Sequence, residues 1–231
     1  MQTARHYYIT TLPTLGELGS APPMGLADLI EHVSENKPWR EHVEAIILLD
    51  DLLQRESFLA GEIEEVEPAV LTDPQARGED PLPPMLSAVT RSDQPLAIEA
   101  DTLWENYFRH VHALGRSRGC VFLVQWVEFE VTLRNTLAAA RARRLDLEET
   151  SYQVAPDLIA PEEDLSLVLG EWESATTPLA GLRVVIRARW SWIDRHDAWF
   201  SFSVDELLAY AARVMLLEQW RRSVSEDEAT A

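Results

Sequence analysis

CVFLVQWVEFEVTLRNTLAAARARRLD, residues 120–146, is the stretch whose reading decides the fold. Phe122, Trp126, Phe129, Leu133 and Leu137 recur at spacings of three and four, which aligns them on one helical face. The stretch holds no Gly or Pro and contains a run of alanines, so propensity agrees with pattern. Glu130 and Arg134 stand one turn apart beside that face, and Asn135 follows. Polar groups set into an apolar helix are costly unless they meet partners. The expectation is a long helix over 120–145 inside a bundle. Glu130, Arg134, Asn135 and Arg141 then form a structural polar network, with Glu130 paired to Arg134 or to an arginine on a neighbouring helix.

Working outward, Leu26–Glu35 and Trp39–Ala60 carry helical periodicity and read as an αα-hairpin broken at Asn36, Lys37 and Pro38. Residues 61–95 hold Glu62, Glu64, Glu65 and Glu67, then Pro68, Pro74, Pro81, Pro83, Pro84 and Pro95. That composition predicts a linker or a long loop. Asp101 is placed as the cap of a helix that runs towards Gly115. Shorter helices are expected over Glu162–Glu173 and, opened by Pro178, to about Asp194. Ser203 to Glu206, S-V-D-E, reads as a capping box for a last helix reaching about Trp220. His6–Thr10 (HYYIT) reads as extended, and SVSEDEATA as an acidic, frayed tail. The fold class is all-α, a multi-helix bundle of one or two packed helical subdomains. The expected division is 1–60 hairpin region, 61–95 linker or loop, 96–223 main bundle and 224–231 tail.

Composition narrows the function classes. The chain has 39 acidic and 20 basic residues, a formal net charge of −19, and a single lysine, Lys37. Such a chain is repelled by nucleic acid and by anionic headgroups and favours basic partners. The longest uncharged apolar run, CVFLVQWV, is far shorter than a bilayer span, so no direct membrane insertion is expected. MQTARHYYITTLP lacks the apolar core of a secretory signal. One cysteine, Cys120, rules out an internal disulfide framework and a multi-cysteine zinc site. Together these predict a cytoplasmic protein.

Motifs for chemistry are scarce. Nothing matches a phosphate-binding loop, a dinucleotide fingerprint, a nucleophile elbow or H-E-x-x-H. His110 and His112, two apart on a helix, point to different faces. Asp194, His196 and Asp197 could hold a metal on a loop, but a polar turn after a helix is the simpler reading. Glu128 and Glu130 diverge by about 200° on a helix and cannot share a substrate as acid and base. No catalytic residue, cofactor or metal site is expected. The rival is a small-molecule enzyme or binding protein with a cleft lined by Glu130, Arg134 and a histidine.

Three motifs, in order, carry a resemblance. They are Tyr7, Tyr8, Leu12 and Pro13 with the following P-P; then Glu130, Leu133, Arg134, Asn135, Ala138, Ala139, Arg141 and Ala142; then Phe202, Leu207, Leu208, Tyr210, Leu217 and Trp220. In these the chain resembles a bacterial family that is similar to the C subunits of V/A-type ATP synthases and is encoded with the other components of that enzyme. The resemblance implies an all-helical wedge on the membrane rotor ring. Its partners would be the axle subunits and the ring, on the inner face of the cytoplasmic membrane, and it would have no catalytic residues or cofactor. A soluble assembly adaptor of the same complex is the neighbouring alternative.

Overall fold

A computed structural model describes residues 2–87 and 99–230. The described residues form ten α-helices, two short 3₁₀ turns and no strand. The described residues adopt the expected all-α class. No described helix is long and apolar enough to cross a membrane. The Cα packing divides the chain into two compact units, residues 1–80 with 171–231 and residues 81–170.

In the first unit the helices are α1 (Gln2–Thr10), α2 (Leu26–His32), α3 (Lys37–Leu59), α4 (Asp73–Ala76), α9 (Pro178–His196) and α10 (Val204–Thr230). Helix α10 is its axis. Leu207, Leu208, Ala209, Ala211, Ala212, Val214, Met215, Leu216 and Leu217 are all buried, so this stretch of the helix is enclosed on nearly every side. It packs against α2, α3 and α9. Helix α3 contributes Val43, Ile46, Ile47, Leu49 and Leu52 to that core. Its start is set by Asn36, whose side chain accepts from the Trp39 N–H, and by Pro38 in the first turn. Thr177 and Pro178 open α9 in the same way.

The second unit contains α5 (Pro84–Ser87), α6 (Glu99–Arg118), α7 (Val121–Arg144) and the 3₁₀ turns Glu149–Tyr152 and Pro156–Leu158. Helix α8 (Ser166–Ser174) contributes residues to both units. Helices α6 and α7 form a hairpin around Trp104, Tyr107, Phe108, Phe122, Leu123, Trp126 and Phe129. Gly119, at φ 67, makes the stop: the Cys120 N–H returns to the Gly115 carbonyl at 2.9 Å. Gly115, expected at the stop, lies inside α6. A Cβ there would come within 2.9 Å of a Val124 methyl, so its smallness serves the hairpin's closest approach.

Several expectations are corrected. His6–Thr10 belongs to α1, not to an extended segment. Tertiary contacts hold it: the His32 Nε2–H donates to the Tyr8 carbonyl at 2.8 Å, and the Tyr8 ring packs on Trp39. Asp101 lies inside α6, already helical at Glu99, so it is not a cap. The tail is helical to Thr230, because no Gly or Pro after Trp220 stops α10. The division also differs from that expected: residues 61–80 join α3 and the C-terminal helices, while 81–170 stand as the other unit. Of the expected 61–95 segment, residues 88–95 lie outside the described residues.

Candidate functional site

Several polar side chains of the long helices hold the backbone of loops and short turns, and others join one helix to another. In the second unit Asn135, buried on α7, donates to the Val154 carbonyl at 2.9 Å and accepts from the Val154 N–H at 2.8 Å. Thr132 accepts from the Ala160 N–H at 2.7 Å. On α6, Asn106 donates to the Leu86 carbonyl at 3.0 Å. Arg109 forks onto Asp157 at 2.8 and 3.0 Å and also bonds Glu105 at 2.8 Å. That hydrogen-bonded guanidinium holds the Asp157 carboxyl below the usual carboxylate range.

Arg134 donates to Asp101 on α6 at 2.8 Å, and its guanidinium lies 4.7 Å from the Trp104 ring. Its partner is therefore on the neighbouring helix, not Glu130, which stays buried on α7. Arg141 sits on the exposed side of the last turn of α7, with Arg143 and Arg144, where cations complement the helix's negative end. His112 reaches Glu128 at 3.3 Å. Arg134 is thus spent on Asp101 and Trp104, and His112 on Glu128.

In the first unit the buried charges are denser than the helical pattern alone implies. Asp51 accepts the backbone N–H groups of Ala69, Val70 and Leu71 at 2.9, 2.7 and 2.7 Å. Burial pushes its carboxyl up to about 6, against the three N–H donors that pull it down. Gln54 clasps Glu67, accepting from its N–H at 2.8 Å and donating to its carbonyl at 3.4 Å. These bonds explain why residues 61–80 pack with α3 instead of forming a linker. Asp50 faces α10, where it accepts from Gln219 at 2.9 Å and pairs with Arg222. The signal for both acids is their place side by side inside IILLDDLLQ, a run too apolar to leave them in solvent.

A second charged centre lies at the α9–α10 turn. Arg213, buried within α10, pairs with Asp197 and, at 3.0 Å, with Asp194. Its guanidinium lies 5.8 Å from the Trp190 ring and 5.4 Å from the Trp199 ring. Burial raises the Asp197 carboxyl while Arg213 draws it back. His196 stacks on Trp192 at 4.0 Å and bonds the Trp192 carbonyl at 2.8 Å. Asp194, His196 and Asp197 are therefore committed to the polar turn. Among the described residues no group of three or more His, Cys, Asp or Glu side chains is placed to hold a metal ion.

The Ser203–Glu206 cap takes a different form from a capping box. Glu206 accepts from the Phe202 N–H at 2.7 Å and the Phe200 N–H at 3.1 Å, while the Ser203 hydroxyl bonds Ser201 at 2.7 Å. Phe200 and Phe202 both sit in the left-handed region, at φ 58 and 51. The carboxylate thus closes a tight turn one residue earlier than the sequence pattern implies. Comparison of the chain with protein-family models, with curated proteins and with solved structures finds no match.

Proposed function

We propose that this chain is a non-catalytic central-stalk component of a V/A-type ion-translocating ATPase, folded like the C subunits of those enzymes, coupling the axle to the membrane ring from the cytoplasmic side. The observation that supports it is where the interior polar groups go. Asp51, Gln54, Arg109, Thr132 and Asn135 each fasten a loop or 3₁₀ turn to a long helix, and Asn106 fastens the short helix α5. Hydrogen-bonded ties of this kind oppose sliding and untwisting of the helices, which is what a part under torque requires. Helices of 23, 24 and 27 residues supply the length, about 35 to 40 Å each. The resemblance carried by the motifs at 7–13, on α7 and at 202–220 is what points to this machine. In this reading the nucleotide chemistry belongs to other subunits, and the partners are the axle subunits and the rotor ring, not nucleic acid.

The test is affinity purification of the tagged chain from detergent-solubilised native membranes. Axle and ring subunits are expected with it at fixed stoichiometry, and the isolated chain is expected to hydrolyse no ATP. Recovery of the chain free of all ATPase subunits overturns the proposal. Recovery only with partly assembled complexes would replace it with the assembly-adaptor reading.

A further inference from the structure

We propose that the corner formed by Trp199 and Phe200, on the turn between α9 and α10, is a docking surface for a partner protein surface that is apolar at its centre and basic at its rim. This holds whether or not the partner belongs to an ATPase. Trp199 is 63% and Phe200 80% exposed, and their rings lie 6.3 Å apart. Adjacent exposed aromatic rings are what protein interfaces bury at their centres. The backbone is also strained to hold them there. Phe200 and Phe202 both adopt the left-handed conformation, which is costly for bulky side chains and persists only where the surroundings enforce it. The Glu206 carboxylate, bonded to both N–H groups, stabilises the turn, and Arg213 supports the Trp199 ring from inside. Helix α1 extends the surface: His6 packs on Phe202 at 4.5 Å, and the neighbouring Tyr7 is 61% exposed.

Charge selects the partner. The turn carries Asp194, Asp197, Asp205 and Glu206 against Arg195 and Arg213. Arg213 is consumed within the corner by Asp194 and Asp197. The Asp194 side chain remains 53% exposed and presents its carboxylate at the rim of the corner. A basic rim answers both the corner and the net charge of −19, and it is steered in by them. The same charge opposes an anionic membrane or a nucleic-acid strand.

Phe200→Asn gives a clean test on the full chain. Asn enters the left-handed region more readily than Phe, so the variant is expected to melt no lower than wild type while lacking the ring. The probe is a fluorescently labelled amphipathic helical peptide with Leu on one face and Lys on the other, followed by anisotropy. Wild type is expected to bind it, with affinity falling as salt is raised. Phe200→Asn and Trp199→Ala are each expected to weaken binding about tenfold or more, and a twin peptide with Glu in place of Lys is expected not to bind. Equal binding by wild type and Phe200→Asn overturns the proposal, as does equal binding of the Glu peptide or failure of the Lys peptide to bind. Zwitterionic vesicles that bind wild type but not Phe200→Asn, with no peptide binding, would make the corner a membrane contact instead.

Discussion

Asp51→Ala is expected to lower stability by about 3 kcal/mol near neutral pH, with Asp51→Asn costing clearly less. Alanine leaves the N–H groups of Ala69, Val70 and Leu71 without their acceptor, and Leu71 is buried. Asparagine keeps one acceptor oxygen and removes the buried charge. The pH dependence carries the sign. The folded-state carboxyl, at about 6, lies above its ordinary value of 3.8, so the folded state holds the proton more tightly than the unfolded chain. The stabilisation linked to that proton is complete below about pH 4 and is lost as pH rises through about 6. Across that window wild type should lose about 3 kcal/mol relative to Asp51→Asn. Chemical denaturation of both proteins at several pH values measures it. Parallel stability curves would mean that Asp51 is solvated and does not anchor residues 69–71.

Arg213→Met is expected to cost about 3–5 kcal/mol. The Asp197 side chain, 3% exposed, loses its cation, and two tryptophan rings lose their guanidinium. Asp194, half exposed, recovers solvent and contributes little. Removing the stranded charge should repair part of the damage, so Arg213→Met with Asp197→Asn is expected to melt above Arg213→Met alone. The Asp197 carboxyl is already raised by burial, and the loss of Arg213 raises it further. The single variant is therefore expected to regain stability on acidification, as Asp197 takes up its proton. Calorimetric melts of the three proteins decide this. An Arg213→Met melt matching wild type would remove the corner from the architecture.

The parts of the fold that are legible in the sequence are those where one signal suffices. Helix α7 combines periodicity with propensity, and Asn36 and Pro38 mark the start of α3 locally. Helix α1 is not legible, because Tyr, Ile and Thr favour extended backbone and only contacts with His32 and Trp39 hold the helix. The units are not legible either. The first joins residues 1–80 to 171–231 through the packing of α2 and α3 on α10, and no local pattern reports a partner that far along the chain. For the polar sites, residue type is informative and the partner is not. Arg134 and Asn135 stand out in an apolar helix, but Asp101 has the local pattern of a cap, and Val154 offers only backbone groups from a loop. Asp51 binds loop backbone, which leaves no side-chain signature at residues 69–71.

If the chain couples axle to ring, its loss should separate the two activities of the ATPase. The decisive measurement is ATP-driven ion uptake, with ATP hydrolysis followed in parallel, in membrane vesicles from cells lacking this chain and in the same vesicles after the purified chain is added back. Hydrolysis without ion uptake is expected in its absence, and restored uptake on addition. Undiminished ATP-driven uptake in vesicles that lack the chain would contradict the coupling role.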